Sequence, residues 1–364
     1  MSTPTSPAWH IHGVMCQTGE ELDLWVQGST VTHTKVEGAT TIASAGWILP
    51  GLVDAHCHVG LSAQGGVDAQ TAERQALTDL DAGVTLIRDA GSPIDTHWLD
   101  ARADMPRIIR AGRHVARTRR YLRDYAVEVE PEDLVAEVRR QARAGDGWVK
   151  IVGDWIDRAV GDLAPSWPEE VMAEAIRAAH DEGARVTAHC FGEESVHHLV
   201  RAGIDCVEHG CGLDEETMAI MAANDVALVP TLDNLEIFPD LADQAQDKFP
   251  TYAAHMRDLY ACRDRVYAAA LDAGVNIYCG SDAGGIRPHG AVLGEITALS
   301  RVGGPMFALG AASWRARQWL GAGDLEDGAP ADIVIAREDP RKDVSALADL
   351  ALVMVAGAIH RPRV

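Results

Sequence analysis

One short phrase recurs five times along this chain and constrains its fold more than any other feature. Each copy has a helical pattern, then a small residue with glycine, then an apolar run, as in LTDLDAGVTLIRDAG at 77–91. The other copies are RRQARAGDGWVKIVGD at 139–154, RAAHDEGARVTAHC at 177–190, LVRAGIDCVEHG at 199–210 and ALDAGVNIYCGSD at 270–282. Glycine just past a helix end supplies the left-handed conformation that turns the chain toward the next strand. Helices that alternate with buried strands indicate βαβ units and a parallel sheet.

The repeated phrase and the apolar runs around it predict eight strands. They lie at about 51–58, 84–90, 107–113, 148–153, 185–190, 205–209, 226–231 and 275–281. Helices are expected between most of them, including one at about 168–182, which opens with proline and acidic residues as a helix start prefers. Eight such units predict an α/β fold of the (β/α)8 TIM-barrel type, which takes roughly 250 residues.

The two ends of the chain have a different pattern. Residues 8–48 and 327–362 contain short alternating strands separated by turn residues. We expect both ends to pair into one small β-sandwich. The predicted domains are therefore a composite sandwich, residues 1–49 plus 323–364, and a catalytic barrel, residues 50–322.

Charge and composition exclude some classes of partner. The net charge is −22, with 54 acidic residues against 32 basic ones, which argues against a nucleic-acid or anionic-membrane surface. The N-terminal residues lack the basic and apolar segments of a signal peptide, and no apolar run approaches the ~20 residues of a membrane span. Seven cysteines without a C-x-x-C pair fit a reducing compartment. These features predict a soluble, cytoplasmic protein.

Polar side chains with metal-binding chemistry fall at the carboxyl ends of the predicted strands. The run LPGLVDAHCHVG at 49–60 places two histidines two residues apart, so both face the same side of a strand. The whole set is His56, His58, Lys150, His189, His209 and Asp282. Barrel active sites lie on this face. One buried histidine is more often a satisfied core residue, but this set favours zinc or a neighbouring transition ion.

Lysine is rare in this chain, which makes Lys150 informative. Only four of the 32 basic residues are lysines. Burial lowers the pKa of an amine, and a neutral amine can add carbon dioxide to become an anionic carbamate that bridges two cations. Arginine cannot do this. The alternative is a lysine whose stem lines the barrel while its amine pairs with an acid such as Asp154.

The motifs of the chain resemble those of the amidohydrolase superfamily, and more closely its imidazolonepropionase/Xaa-Pro-dipeptidase-like branch. The resemblance rests on LPGLVDAHCHVG, the lysine in VKI, TAHC, VEHG, GSDAGG and the tail GAPADIVIAREDP. It implies that His56, His58 and Asp282 hold one metal, that His189 and His209 hold the other, and that carboxylated Lys150 bridges the two. Imidazolonepropionases usually use one metal and lack the lysine, so Lys150 favours the dinuclear, dipeptidase-like group.

The expected reaction is hydrolysis of an amide-type C–N bond. Two metals about 3.5–4 Å apart would share a bridging hydroxide at neutral pH. Asp282 would take its proton and pass it to the leaving nitrogen. His114 resembles the histidine that helps hold the carbonyl in the dipeptidase-like group.

Substrate recognition is expected in the loops after the predicted strands. The arginines after the third strand suit a substrate carboxylate, because a guanidinium forms bidentate pairs with it. They are Arg113, Arg117, Arg119 and Arg120, followed by Tyr121. Arg287 and His289, after the eighth strand, are weaker candidates. The small-molecule substrate is predicted to be a dipeptide or an N-acyl amino acid.

Other functions remain open from the sequence alone. The chain could hydrolyse cyclic amides, carbamates or aryl amides, or it could bind one metal with Lys150 uncarboxylated. A third alternative is a metal-free, non-catalytic scaffold, although such a copy should have lost at least one ligand. A homo-oligomer is also left open.

Overall fold

The computed structural model describes residues 7–361, and helices alternate with strands through the middle of the chain. The α-helices in this part of the chain are α1 Ala69–Asp81, α2 Leu134–Ala144, α3 Glu169–Asp181, α4 Glu193–Arg201, α5 Glu215–Ala223, α6 Leu232–Leu235, α7 Phe238–Ala245, α8 Pro250–Asp272, α9 Val292–Gly303, α10 Pro305–Ala312 and α11 Trp314–Trp319. Short 3-10 helices cover His97–Ala101, Pro131–Asp133 and Val344–Ala348. Within residues 7–361, no helix combines the length and apolar character that crossing a bilayer requires.

The strands are mostly short. They are β1 Ala8–Met15, β2 Glu21–Gln27, β3 Thr30–Thr32, β4 Thr40–Ala43, β5 Trp47–Pro50, β6 Leu52–Cys57, β7 Leu61–Ser62, β8 Gly65–Gly66, β9 Val84–Asp89, β10 Arg107–Arg110, β11 Val115–Arg117, β12 Val127–Val129, β13 Trp148–Val152, β14 Asp154–Asp157, β15 Asp162–Pro165, β16 Arg185–Cys190, β17 Cys206–His209, β18 Ala227–Val229, β19 Ile333–Ala336, β20 Leu350–Val355 and β21 Ala358–His360. Seven of the eight predicted strands are present: β6, β9, β10, β13, β16, β17 and β18.

Local sequence signals explain where helices begin and end. At the start of α1 the Asp68 carboxylate accepts a hydrogen bond from the Thr71 amide at 2.7 Å, which satisfies one of the free N–H groups of the first turn. After α1, Gly83 has φ +89°, and after α8, Gly274 has φ +83°. Both glycines lie in the left-handed conformation that the recurring phrase predicts at these positions.

The strands that carry the candidate site belong to two parallel sheets. One has the order β10-β9-β6 and the other the order β12-β11-β13-β16-β17-β18. Every residue of β9 and of β13 is buried, as expected for strands covered on both faces. The two sheets share no continuous ladder in the described residues, so closure into a barrel stays a prediction. What is established is an α/β fold with parallel strands.

The predicted strand at 275–281 is not formed as a regular strand, which corrects the sequence analysis. An isolated parallel bridge joins Ile277 to Leu228, and another just beyond the segment joins Ala283 to Cys57. Single backbone hydrogen bonds also tie the segment to β6 and β18, as from the Ala55 amide to the Cys279 carbonyl at 2.8 Å. The Cys279 amide instead donates to the carbonyl of Ala311 at 3.0 Å, outside both parallel sheets. This hydrogen bond takes up a backbone donor that a regular ladder would need.

Strands from both ends of the chain form one further sheet. Its order is β21-β20-β19-β5-β1-β2-β3, with β4 paired to β1. The junction is the antiparallel pair of β19 and β5, in which Ile333 lies opposite Pro50. A separate apolar cluster, which includes Ile11, Leu24 and Met354, packs on this sheet. The division of the chain at residues 49/50 and 322/323 stays a prediction.

Candidate metal centre

Three side chains meet at the carboxyl end of β6. His56 and His58 lie on one face, and their Nε2 atoms are 3.3 Å apart. Asp282 Oδ1 lies 3.2 Å from the first of these nitrogens and 3.1 Å from the second. One potential ligand atom from each of the three residues therefore lies within 4.8 Å of the other two. Residues 226 positions apart in sequence are brought into a single cluster.

Backbone hydrogen bonds hold this cluster in place. The Asp282 amide donates to the His56 carbonyl at 2.7 Å, and the His58 amide donates to the Ala283 carbonyl at 2.8 Å. His58 Nδ1 lies 2.8 Å from the carbonyl oxygen of Gly91, which can only accept. This contact places the proton on Nδ1 and leaves the Nε2 lone pair free for a ligand bond.

A second pair of histidines lies beside the first group. His189 at the end of β16 and His209 at the end of β17 approach to 3.0 Å between Nδ1 and Nε2. The other nitrogen of His209 contacts Thr231 Oγ1 at 2.7 Å. The His209 ring centre lies 5.4 Å from that of His56, so the two groups are neighbours.

Lys150 is fully buried and pairs with a carboxylate that the sequence analysis did not name. Its amine contacts Glu208, the residue before His209 in β17. Asp154, the acid considered from the sequence, instead accepts backbone hydrogen bonds from Phe191 and Gly192. The alternative in which Lys150 pairs with an acid is therefore met by Glu208 and not by Asp154, whose carboxylate is already occupied next to the start of α4.

Burial sets the protonation of these groups. It lowers the pKa of His56 and of His209 well below the usual range, and that of His189 to about 3. Burial also lowers the pKa of Lys150 to about 7. His56, His189 and His209 are therefore neutral at pH 7, which is the form that coordinates metals, and a neutral amine is accessible at Lys150.

The donor chemistry of the cluster fits divalent metals. Neutral imidazole nitrogens and a carboxylate are the ligands that zinc and neighbouring ions take in proteins. His189 Nε2 is buried and has no hydrogen-bond partner among the described residues. A buried nitrogen without a partner is costly unless some group satisfies it.

His114, proposed from the sequence as a catalytic residue, also lies in the cluster. It is completely buried, and its ring stacks on that of His58 with 4.9 Å between centroids. Neither of its ring nitrogens has a partner within residues 7–361. Burial lowers the pKa of His114 well below its usual value, so it is neutral.

Aromatic rings surround His189, and two of them, Phe191 and Trp155, were not assigned by the sequence analysis. The ring centroids of Phe191, Tyr121 and Trp155 lie 4.4, 5.4 and 5.6 Å from that of His189. Trp155 comes from the β14–β15 hairpin, which was not predicted. These rings give the site an apolar wall.

Two further polar contacts escaped the sequence analysis. The amide of Asn234 in α6 donates to Asp282 Oδ2 at 2.6 Å. Asp54 in β6 accepts from the Ser281 hydroxyl at 2.5 Å and from the Ser281 amide at 3.0 Å. Asn234 comes just after the strand predicted at 226–231, and this position was the only sequence signal for its contact with Asp282.

Some of the arginines considered for substrate binding have structural partners instead. Arg120 Nη1 lies 2.7 Å from Asp157 Oδ2, and Arg117 donates to the Ser166 carbonyl at 3.2 Å. These contacts anchor the loop after β11. Both side chains are therefore occupied.

The two weaker candidates after residue 282 are also engaged. Arg287 Nε lies 3.5 Å from Asp233 Oδ2. His289 Nδ1 lies 2.8 Å from Asp79 Oδ2 on α1, and the Gly290 amide donates to the same carboxylate at 2.7 Å. His289 therefore fastens the segment that precedes α9.

Comparison with known proteins identifies the family to which the chain belongs. The model of the amidohydrolase family matches residues 47–360, so the chain belongs to the amidohydrolase family, as its motifs predict. Membership makes it a hydrolytic enzyme and supports action on amide bonds of small-molecule substrates.

Three individual proteins are similar to this chain. An uncharacterized protein of Mycobacterium tuberculosis H37Rv is 51% identical over 355 residues, covering 97% of this chain and 96% of the relative. The ochratoxinase of Aspergillus niger is 27% identical over 222 residues, 58% of this chain and 45% of that enzyme. The crystal structure of a Xaa-Pro dipeptidase with bound methionine superposes with a TM-score of 0.79 at 23% identity, covering 97% of this chain and 99% of the other. At that identity the superposition establishes a shared fold only.

Proposed function

We propose that this chain is a metal-dependent amidohydrolase that cleaves the amide C–N bond of a dipeptide or an N-acyl amino acid. The observation that carries the proposal is the convergence of His56, His58 and Asp282 within 4.8 Å beside the His189–His209 pair. The two groups lie where the carboxyl ends of parallel strands meet, which is the position of active sites in (β/α)8 barrels.

The residues divide into two ligand groups. His56, His58 and Asp282 would hold one divalent ion, for which their ligand type favours zinc, and His189 with His209 would hold a second. Lys150, once released from Glu208 and converted to a carbamate, would bridge the two ions. When bound, such a pair supplies a hydroxide at neutral pH and polarises the carbonyl to be attacked.

The side chains of the protein perform the remaining tasks. Asp282 accepts the proton of the attacking water and returns it to the leaving nitrogen, a general acid–base role. Asn234 positions that carboxylate through its second oxygen. His114, buried and neutral, would hold the substrate carbonyl. The apolar wall around His189 excludes water from the reacting bond.

Two comparisons support the choice of substrate. The structural neighbour named as a Xaa-Pro dipeptidase was solved with bound methionine, and the fungal relative is named as an ochratoxinase. Aromatic rings beside His189 suit the apolar part of an amino acid or acyl group.

A substrate screen tests the proposal. Zinc-loaded protein is incubated with a library of dipeptides and N-acyl amino acids, together with lactones, phosphotriesters and cyclic ureas as competing classes. The proposal expects turnover in the first two classes, abolished by chelation and restored by zinc. Activity confined to the competing classes would contradict it.

A further inference from the structure

A cavity of about 690 Å³ lies next to the candidate metal centre. Tyr121 borders both. Its ring lines the cavity, and the ring centroid lies 5.4 Å from that of His189 and 5.8 Å from that of His114. Tyr121 therefore adjoins both the cavity and the candidate metal centre.

The cavity is strongly basic. Its charged lining consists of four arginines and two acids, namely Arg113, Arg119, Arg123, Arg158, Asp124 and Glu128. Within residues 7–361, none of the four guanidinium groups has a carboxylate oxygen within 4.0 Å. Glu128 is instead contacted by the backbone amide of Arg119 at 3.3 Å. The cavity therefore keeps an excess of positive charge, although the net charge of the chain is −22.

The walls of the cavity are fastened to each other. Arg120, in the same loop, pairs with Asp157 at 2.7 Å and donates to the Ala164 carbonyl at 2.9 Å. Both partners belong to the β14–β15 hairpin, whose turn carries Arg158. One arginine thus ties the two sides together, while Arg113 Nε lies 3.5 Å from the Tyr125 carbonyl and Arg119, Arg123 and Arg158 are exposed. Guanidinium groups that have no carboxylate partner within the protein suit bidentate binding of a substrate carboxylate.

We propose that this cavity is the subsite for a carboxylate of the substrate, and that it selects acidic amides over neutral or basic ones. This inference rests on the proposed function and deepens it. The carboxylate can be the α-carboxylate of the released amino acid or an acidic side chain. Both present the same chemistry to the arginines, and the experiment below separates them.

Four matched substrates provide the test. Alanyl-glutamate has both carboxylates, alanyl-glutamine only the α-carboxylate, alanyl-glutamate α-amide only the side-chain carboxylate, and alanyl-glutamine amide neither. For the unmodified enzyme we expect kcat/KM at least tenfold higher for substrates that keep the recognised carboxylate, since a hydrogen bond between charged groups contributes about 1.5–3 kcal/mol. Equal kcat/KM for all four would overturn the proposal.

Variants of the lining arginines test whether the cavity causes the preference for substrates with a carboxylate. Arg158→Gln and Arg119→Gln change exposed side chains, so the fold should be retained. We expect each to lower kcat/KM for the preferred substrate about tenfold, mainly through KM, while alanyl-glutamine amide changes less than twofold. Arg158→Glu should shift the preference toward alanyl-lysine. Arg257→Gln, at an exposed ion pair with Asp243, is the matched control and should keep the preference.

A binding measurement separates this proposal from the proposed function. Calorimetry with glutarate is carried out on the unmodified protein and on Arg158→Gln. Binding that is weakened about tenfold in the variant supports the subsite even if no dipeptide is hydrolysed, a result that would count only against the function. Glutarate binding that is absent, or equal in the two proteins, would overturn the subsite.

Discussion

Asn234 Nδ2 lies 2.6 Å from Asp282 Oδ2, while the other oxygen of the same carboxylate faces His56 and His58. One amide therefore fixes the orientation of the group to which we assign proton transfer. Asn234 touches none of the reacting atoms in our proposal, so it is a positioning residue.

Replacement of Asn234 tests this relationship. Asn234→Ala should lower kcat about tenfold, because the loss of a hydrogen bond to a charged group allows Asp282 to rotate. The free energy of unfolding should fall by no more than about 3 kcal/mol, and the variant should still take up zinc when zinc is in excess. The matched control is Asn224→Ala, at the exposed C-terminus of α5, which should leave kcat as it is. A variant at position 234 with normal kcat would remove the positioning role.

Lys150 is predicted to be needed for a second metal ion. Lys150→Ala should reduce the metal content from two equivalents to one or fewer and abolish activity, because the bridging carboxylate is lost. Short carboxylates added to the variant should partly restore its metal content and its activity. Lys248→Ala, an exposed lysine, serves as the control. Full activity of Lys150→Ala would contradict the bridging role.

The alternation of helices with parallel strands, and the histidines at the strand ends, were predictable because they depend on local patterns. Glycine after a helix, an apolar run and a histidine at its end place His189 and His209 at the ends of adjacent strands, whatever the rest of the chain does. The partner of Lys150 was not predictable. Glu208 lies within β17 and Asp154 comes soon after β13, and only the three-dimensional path of β14 shows that Asp154 is occupied by backbone amides.

Tertiary contacts also explain the other features that the sequence analysis did not predict. Asn234 lies on the four-residue helix α6, which has no periodicity to detect. The segment 275–281 has the composition of a strand, but the Cys279 amide binds outside the parallel sheets. The hairpin that carries Trp155 has alternation too short to recognise. These features depend on tertiary contacts rather than on sequence pattern.

His255 should make stability depend on pH. Its ring lies 3.0 Å from Glu193 and 3.0 Å from Asp162, and hydrogen bonding to Glu193 raises the pKa of His255 from 6.5 to about 9. A raised folded-state pKa stabilises the fold fully below pH 6.5, and this contribution is lost as the pH rises through about 9. Since Glu193 is exposed, we expect only about 1 kcal/mol.

Urea denaturation checks the effect of His255. The free energy of unfolding of His255→Asn should be about 1 kcal/mol below that of the unmodified protein at pH 6, and the two should converge by pH 10. A difference that stays constant over this range would show that the imidazole contributes packing and not charge.

Arg88 and Glu208 form an ion pair inside the protein. Their side chains are 3.2 Å apart and both are 0% exposed, and Thr187 also donates to Glu208 at 2.8 Å. Arg88→Ala should lower the free energy of unfolding by about 3–5 kcal/mol, because it leaves a buried carboxylate short of a partner. Arg143→Ala, which removes an exposed pair with Glu182, should cost about 1 kcal/mol or less. Denaturant titration measures the loss of unfolding free energy in each variant. Similar losses would contradict the distinction between the buried and the exposed ion pair.

Anomalous diffraction from crystals of the zinc-loaded protein tests the central claim most directly. We predict two zinc peaks per chain, one among His56, His58 and Asp282 and the other between His189 and His209, with extra density on the amine of Lys150. Crystals soaked in zinc that show no peak at these side chains, or show zinc only elsewhere, would contradict the account.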